Sequence, residues 1–488
     1  MAALVSIGVL LAVRVGQSKG FYGADDYSHL LISRNSVHDP SLMLAVWGRP
    51  LMTIAYIPAA LIGTGAARAT SIVFLSIAAV LVGLTAHRST KRLGFMASVL
   101  LVAQPLTLMI GFSALPQMIF SLLLAAALFV RAAGRDRFAA ALIGLLPLAR
   151  LEGLVVVGVW ALLLVRTRRL GLLPWLAGGT AGWAALGAAT SGDVLWLYHQ
   201  NPYGLLGSIY GAAGFRYGFI SWPIAFGPIV GGLSIAAMAR RQVPDASVGG
   251  ITAALFAFYV AAWTLPAFRT IADPVYLVTL SVPVALCAHH GAMGIVADRD
   301  GASWWRSGAA VAFAVATGSM PLAAVTVGAI TLYTVRARWA KRDLRDMSRL
   351  ALATTVLAAS LIAWLLTEPL PLTGAAYASA RVATSLTRSQ LGRVIASSHP
   401  AFDWYAGTTT YSRVDRVVNA AKGALVVWDG MFGKSDALSR LQELGYTVVQ
   451  NHGRGIERVV VLERRSVAAT AQHRGLCSSA GVTSACPR

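Results

Sequence analysis

The sequence predicts a mainly α-helical, polytopic membrane protein with a small α/β domain toward its C-terminal end. Three observations lead to this fold class. The chain of 488 residues is 56% hydrophobic and only 12% charged, whereas roughly a quarter of the residues in soluble domains are charged. Apolar runs close to the roughly 20 residues that cross a bilayer recur along it. From residue 368 onward these runs stop, and shorter strand-like and helix-like patterns replace them.

The apolar runs mark the membrane-spanning region. They cover residues 69–86, 95–111, 118–130, 172–189, 219–239, 251–266, 275–288, 309–335 and 350–367. With roughly 20 residues per crossing, we expect an odd total of about 11 to 13 spans within residues 1–367. Two stretches leave the count open: residues 138–165 form one long span or two short ones, and residues 309–335 form one span or a hairpin broken at Pro321. The segment 1–15 lacks a basic start and a clear cleavage site, which predicts a retained span.

The placement of the basic residues explains the formal net charge of +21. Many of them cluster in short loops, at residues 166–169, 240–241 and 336–349. Such clusters face the cytoplasm and attract anionic lipids. Nucleic-acid binders instead carry their charge on one face of a soluble domain, so that class is not predicted. The loops at 193–217 and 268–274 and the C-terminal portion then face the extracytoplasmic side. The excess of arginine over lysine is typical of a GC-rich bacterial genome, which predicts a bacterial plasma membrane.

Two further regions are expected outside the spans. Residues 20–49 mix apolar and charged side chains at helical spacing, which predicts one or two short interfacial helices. Residues 368–465 predict an extracytoplasmic α/β domain, with strands near 423–428, 446–449 and 458–462 and a helix over 435–444. Residues 466–488 are poor in apolar side chains and are expected to be disordered. Whether Cys477 and Cys486 in this tail form a disulfide stays open.

Asp25 and Asp26 begin the helix predicted in the first loop. An aspartate is a good N-cap and the helix dipole favours a second one, so capping alone is one explanation. A chemical explanation comes from Arg49, which stands directly before Pro50 where the next span is expected to begin. Arginine binds phosphate bidentately and keeps its charge in a low dielectric. Alternatively, Arg49 is an anchor that reaches toward the headgroups.

Two motifs in this region resemble the first extracytoplasmic loop of the GT-C glycosyltransferases. They are Asp25-Asp26-Tyr27-Ser28-His29 and Trp47-Gly48-Arg49-Pro50-Leu51. The likeness is greatest to the protein O-mannosyltransferases and the lipid A aminoarabinose transferase, which carry Asp-Glu or Asp-Asp there and a basic residue before Pro-Leu. Partial matches follow at residues 112–117, at residues 150–153, at Tyr276 and at Pro283, so that the likeness covers roughly the first 290 residues. Asp26 replaces the commoner Glu, and Arg49 replaces a frequent Lys. These two differences prevent assignment to one subfamily.

The resemblance implies an inverting transfer of a sugar from a polyprenyl-phosphate donor to an extracytoplasmic hydroxyl of a glycan, lipid or protein acceptor. By this likeness, Asp25 is the general base and Arg49 stabilises the departing phosphate. Asp26 would orient Asp25, or join it in holding Mg²⁺ or Mn²⁺. Two carboxylates without a third ligand are weak evidence for a metal, and no other cofactor is indicated.

Further substrate contacts are expected from polar side chains in the extracytoplasmic loops. Aromatic, amide and basic groups suit the recognition of a sugar phosphate, although the aromatic belts at membrane interfaces have a similar composition. That belt role is expected for Trp196 and Tyr210. Arg269 could also pair with Asp273. The candidate contacts are His29, His199, Tyr203, Arg216 and Arg269.

Other charged or titratable groups near span ends have simpler expected roles. Arg150 and Glu152 are expected to form a satisfied ion pair between spans. The pair His289-His290 follows an apolar run, where a plain interfacial role is expected.

Missing motifs narrow the alternatives. The chain has no Gly-x-x-x-x-Gly-Lys-Ser/Thr loop, no His-Glu-x-x-His and no nucleophile elbow, which disfavours an ATP-driven transporter, an intramembrane metalloprotease and a lipase. A lipid or lipid-linked-sugar flippase remains the main rival, and it predicts ionisable residues along a path at mid-bilayer. A non-catalytic scaffold for cell-wall assembly predicts instead that Asp25 and Arg49 point apart.

Overall fold

The computed structural model describes residues 13, 16–91, 94–200, 214–265, 273–297, 370–372, 374–411, 417–418, 420–430, 432–433 and 435–465. The chain divides into two compact units. The first unit comprises Met1–Ala69, Phe112–Leu115 and Pro369–Arg488, and the second comprises Thr70–Gly111 and Pro116–Glu368. The expected spans at 309–335 and 350–367, the boundary at residue 368 and the tail from residue 466 lie outside the described residues.

The described part of the chain before residue 298 is almost entirely helical. Its α-helices are α1 (Ala24–Asn35), α2 (Pro50–Ile62), α3 (Thr64–Thr90), α4 (Gly94–Val102), α5 (Pro105–Ile110), α6 (Gln117–Ala132), α7 (Asp136–Ala149), α8 (Gly153–Arg166), α9 (Leu173–Ser191), α10 (Trp196–His199), α11 (Phe215–Phe226), α12 (Pro228–Ala239), α13 (Ala246–Thr264) and α14 (Ser281–Ala297). Three 3₁₀ helices accompany them at Pro40–Leu44, Leu170–Leu172 and Pro274–Leu280.

Several of these helices have the length and composition of membrane spans. Among the described residues, Thr64–Thr90, Ala246–Thr264 and Pro274–Gly294 are long and apolar enough to cross a bilayer, and the bent pair α11 and α12 raises the number to four if it forms one span. On α3 an apolar stripe is exposed at helical spacing, formed by Val73, Ile77, Val80 and Leu84. Such a stripe suits contact with lipid. The chain is an integral membrane protein.

The structure corrects the expectation that a span begins at Pro50. Helix α2 has 13 residues, so it is about 20 Å long and too short for a hydrocarbon core of about 30 Å. It ends at Gly63, whose φ of 136° belongs to a region that favours glycine. The span-length helix is α3, which starts at Thr64. Arg49 therefore precedes a short helix that packs against α1.

Other apolar runs are divided where the backbone is interrupted. Residues 138–165 form two helices, α7 and α8, because Arg150 is extended with a φ of −156°. The run 95–111 is split into α4 and α5 before Pro105. Gly227, with a φ of 72°, separates α11 from α12.

The described residues after 369 form the predicted small α/β domain, within the first unit. Its strands are β1 (Val394–Ser397), β2 (Leu425–Asp429), β3 (Tyr446–His452) and β4 (Val459–Arg464), and its α-helices are α15 (Gly374–Ser385), α16 (Arg388–Leu391), α17 (Pro400–Ala406) and α18 (Ser435–Glu443). The sheet order is β1-β2-β4-β3, with β1 and β2 parallel and the other pairs antiparallel. The strands expected at 423–428, 446–449 and 458–462 and the helix at 435–444 are confirmed, whereas β1 was not predicted.

Alternating residues of the sheet fill two apolar cores. Leu425, Val427 and Val461 pack with Phe402 of α17 on one face. Val426, Trp428 and Val460 pack with Leu441 of α18 on the other. Successive side chains of a strand point to opposite faces of the sheet. Because both faces of β2 are buried, the strand is apolar almost throughout.

Candidate functional site around Asp25

The two adjacent acids at the start of α1 have different environments. Asp25 is exposed, whereas Asp26 is completely buried. Gly23 precedes the helix with extended backbone, and its N–H donates to the Asp26 carboxylate at 3.0 Å. Both acids occupy the first turn, where the helix dipole favours negative charge. Capping thus accounts for Asp26, and Asp25 is the acid that an incoming molecule can reach.

Asp26 is held by a segment far along the chain. Its Oδ1 atom accepts hydrogen bonds from the hydroxyl of Ser113 and from the backbone N–H of Ala114. Ser113 Oγ in turn accepts from the N–H of Tyr22 at 2.8 Å. Burial raises the pKa of Asp26 to about 7. The hydrogen bonds from Ser113, Gly23 and Ala114 lower this pKa, and the neighbouring Asp25 raises it further. These contacts of Asp26 therefore fix the helix turn from which the Asp25 side chain projects.

The Trp47-Gly48-Arg49-Pro50 motif forms a tight entry into α2. A Cβ on Gly48 would lie 2.9 Å from Ile32 Cγ2 of α1 and 2.9 Å from Thr53 Oγ1, so only glycine fits this approach. Arg49 has a φ of 59°, a left-handed conformation that costs a non-glycine residue about 1–2 kcal/mol. It is 3% exposed, and its Nη1 donates to the Val46 carbonyl at 3.0 Å. Backbone strain of this kind clusters at functional sites.

His29 lies on the same helix as the acids, on its buried side. Its ring stacks on Trp47 at a centroid distance of 5.6 Å and an angle of 17°. It is 4% exposed. This contact joins the two sequence motifs of the resemblance through their aromatic rings, and it makes His29 a packing partner of Trp47.

The C-terminal part of the first unit packs directly on α1. Arg34 donates to the carbonyls of Asp403, Trp404 and Thr408 at 3.1 to 3.3 Å, and its guanidinium lies 5.2 Å from the Trp404 ring centroid. The Tyr27 and Tyr405 hydroxyls are 3.2 Å apart. These contacts order the helix that carries both acids, and none of them was predicted.

Tyr411 extends this contact to the exposed acid. Asp25 is among the carboxylates whose charge acts on the Tyr411 hydroxyl. Burial is the main cause that raises the pKa of Tyr411, so this phenol stays protonated. The C-terminal domain thus contributes a hydroxyl to the surroundings of Asp25.

The other predicted contacts lie in the second unit or outside the described residues. His199 Nδ1 lies 2.7 Å from Asp193 Oδ2, and this hydrogen bond lowers the pKa of Asp193. Arg216 is exposed on the first turn of α11. Tyr203 and Arg269 lie outside the described residues, as does Tyr210. Trp196 is 2% exposed and donates to the Ala184 carbonyl at 2.8 Å, so it anchors the end of α9.

Other titratable groups of the second unit have partners or are buried within it. Arg150 and Glu152 form an ion pair at 2.7 Å at the junction of α7 and α8, as expected. The Arg150 guanidinium also lies 5.1 Å from the Tyr276 ring centroid. Asp273 accepts from the N–H of Val275 and caps the 3₁₀ helix. His289 is fully buried within α14 rather than at an interface.

No group of three or more His, Cys, Asp or Glu side chains that could hold a metal ion occurs in the part of the chain that the structure describes. Asp25 and Asp26 also present their carboxylates to different surroundings, one exposed and one fully buried.

Sequence reasoning missed the roles of Ser113 and Tyr405, which hold the helix that carries the two acids. Ser113 lies in a segment that the resemblance matched, but its link to Asp26 depends on tertiary structure. Tyr405 lies in a short amphipathic helix without a motif.

Comparison with known proteins identifies the fold. No family model and no curated protein matches the chain. Two solved structures match it, both of ArnT from Cupriavidus metallidurans: one is bound to undecaprenyl phosphate, at 15% identity, and one is in the apo state, at 16% identity. In each case the TM-score is 0.61, and the match covers 96% of this chain and 99% of the other. The chain therefore shares the fold of these two structures, and the expected fold class, a mainly helical membrane protein with a small C-terminal α/β domain, is confirmed.

Proposed function

We propose that this protein is an inverting membrane glycosyltransferase that moves a sugar from a polyprenyl phosphate to an extracytoplasmic hydroxyl. The observation that carries the proposal is the pair at the start of α1: one exposed carboxylate, Asp25, is held beside a buried one, Asp26. This pair belongs to a chain that shares its fold, over 96% of its length, with a protein crystallised with undecaprenyl phosphate. Fold likeness at 15% identity is an analogy for function, so the chemistry is argued from the residues.

The reaction needs one base and one stabiliser of negative charge. Asp25 takes the proton of the acceptor hydroxyl as its oxygen attacks the anomeric carbon. The bond between that carbon and the phosphate oxygen breaks, and polyprenyl phosphate leaves with the electron pair. Base assistance contributes typically about 10²–10⁴ in rate, and preorganised donors contribute a similar amount.

Each first-loop residue has a proposed part in this step. Asp26, held by Ser113, positions the first turn and thereby Asp25. Arg49 stabilises the departing phosphate, a role for which a permanently charged guanidinium is suited. The loop residues His199, Tyr203, Arg216 and Arg269 are proposed as donor contacts, and His29 supports the site through Trp47.

The test is Asp25→Asn in isolated membranes, with a labelled polyprenyl-phosphate sugar and extracted envelope glycans, lipids and proteins as acceptors. We expect transfer to fall by about 10²–10⁴. Asp39→Asn is the matched control: Asp39 is an exposed acid of the same loop that caps the Pro40–Leu44 helix, and this variant should retain transfer. Undiminished transfer by Asp25→Asn would reject the assigned base. Donor that crosses vesicles without transfer, in both variants alike, would support a flippase instead.

A further inference from the structure

A basic cleft lies in the second unit, where two short connections meet. One of them joins α6 to α7 and brings Arg135, Asp136 and Arg137 to the cleft, and the other joins α8 to α9 and brings Arg169. The cleft has a volume of about 590 Å³, within the roughly 300–1,000 Å³ of sites for small ligands. Its lining residues all fall within residues 134–172 of the sequence, so this arginine cleft shares no residue with the proposed transfer site.

Two guanidinium groups of the arginine cleft carry uncompensated charge. Arg169 forms an ion pair with Asp136, which joins the two walls of the cleft. Arg135 and Arg137 are exposed, and no carboxylate lies within ion-pair distance of either one in the described part of the chain. The lining contains three arginines and one aspartate, a surplus of two positive charges. Such a surplus suits an anionic group that accepts several charged hydrogen bonds.

The connection between α8 and α9 holds further positive charge. Helix α8 ends at Arg166, and Arg168 directly precedes the arginine that lines the cleft. Both side chains are exposed. Clustered charge of one sign raises the local concentration of ions of the opposite sign. The occupant that suits this cleft is therefore an anion.

Large apolar side chains are exposed beside these arginines. Phe138, which lines the cleft, is 64% exposed, and Leu170 and Trp175 are 55% and 52% exposed. The cleft lies where the apolar helices α6 and α8 end. At the end of an apolar helix a membrane protein meets the lipid headgroups, where aromatic side chains are enriched and arginines reach toward the phosphates. A dissolved anion would contact the arginines and leave the apolar side chains in water, whereas a lipid contacts both.

We propose that the arginine cleft binds the headgroup of an anionic glycerophospholipid from the adjoining leaflet. Arg135 and Arg137 donate to the phosphate oxygens, and Phe138 contacts the glycerol and the first methylenes of the acyl chains. The ion pair between Arg169 and Asp136 holds the two walls between which the headgroup enters. The placement of the basic loops predicts that this leaflet is the cytoplasmic one. The lipid site goes beyond the proposed function and does not depend on the transferase assignment.

The experiment measures lipid binding by the full-length protein in detergent, by native mass spectrometry. The probes are phosphatidylglycerol, phosphatidylcholine and glycerol 1-phosphate. Arg135→Gln combined with Arg137→Gln should weaken phosphatidylglycerol binding about tenfold to hundredfold, the range for losing charged hydrogen bonds. Phosphatidylcholine, whose headgroup has no net charge, should bind wild type and variant within twofold of each other. The matched control is Arg240→Gln combined with Arg241→Gln, which removes two charges from another basic loop and should keep phosphatidylglycerol binding within twofold of wild type.

Phe138→Ala tests the lipid assignment separately from the charge. Loss of the exposed ring should weaken phosphatidylglycerol binding about threefold to tenfold with an unchanged melting temperature. Binding of glycerol 1-phosphate should not change, because this probe has no acyl chains. Glycerol 1-phosphate that binds as tightly as phosphatidylglycerol would indicate a site for a soluble phosphate and overturn the proposal. An equal loss in both pairs of arginine variants would also overturn it, because only the total surface charge would then matter. Phosphatidylglycerol binding within twofold of wild type in the cleft variant would have the same consequence.

Discussion

The Ser113 hydroxyl donates a hydrogen bond to the buried Asp26 carboxylate across 87 positions of sequence. This bond connects the segment before α6 to the first turn of α1. Of the two neighbouring acids, Asp26 is buried and held by this bond, and Asp25 is exposed. The division of roles within the Asp25-Asp26 pair thus depends on a residue outside the first loop.

Removing this bond should weaken the fold around α1. In Ser113→Ala, the buried Asp26 carboxylate loses one of its donors, and an unsatisfied buried group costs about 1–3 kcal/mol. We expect a lower melting temperature for the detergent-solubilised protein and reduced transfer, because Asp25 is less well positioned. Ser41→Ala, at an exposed serine beside Asp39, serves as the control and should melt with wild type. Equal melting of both variants would contradict the role given to Ser113.

Stability should depend on pH through Asp26. Its pKa is raised from 3.8 to about 7 in the folded state, so the folded protein holds this proton more tightly than the unfolded chain does. The stabilisation that this proton gives the folded state is fully present below the pKa of Asp26 in the unfolded chain. It is lost as pH rises through the pKa of Asp26 in the folded state. We expect the melting temperature to fall as pH is raised from about 5 to about 8. Asp26→Asn does not titrate and should flatten that part of the profile; an unchanged slope would exclude Asp26 as its source.

Arg49→Gly should separate backbone strain from chemistry. Glycine adopts the φ of 59° found at Arg49 without the cost of about 1–2 kcal/mol that a side chain incurs. That gain offsets part of what the guanidinium contacts contribute, among them the hydrogen bond to the Val46 carbonyl, so the free energy of unfolding should fall by no more than about 1–2 kcal/mol. Transfer should nevertheless fall at least about 10²-fold, because the leaving phosphate loses its cation. Retained transfer would make Arg49 a structural anchor. Arg49→Lys keeps the charge and should recover part of the activity.

Two glycines offer a matched test of how closely α1 and α2 approach. Gly48→Ala places a Cβ 2.9 Å from both Ile32 and Thr53, and overpacking of this kind costs typically about 1–3 kcal/mol. At Gly65 in α3 a Cβ would meet nothing within 4 Å, so Gly65→Ala should be neutral or stabilise the helix by about 0.5–1 kcal/mol. Thermal unfolding of both variants measures the difference. Similar melting temperatures would mean that the two helices can separate without cost.

The features that depend on local sequence were predicted well. Apolar runs of span length indicate a helical membrane protein wherever they lie, because hydrocarbon excludes unpaired backbone groups. Strands β2 and β4 were recognisable because they are short apolar runs between turn residues. Strand β1 was missed, since a run of four residues carries little periodicity. The start of the second span was misplaced at Pro50, because the apolar sequence continues through Gly63 while the backbone does not.

Local sequence was enough to predict the membrane class, the small C-terminal domain and the acidic and basic motifs of the first loop, because hydrophobicity and motifs are properties of neighbouring residues. Tertiary structure was needed to show which aspartate is buried and that Tyr405 and Arg34 connect the C-terminal domain to α1. These features depend on burial and on hydrogen bonds between segments that are far apart in the sequence. The spacing of residues along the chain does not reveal them.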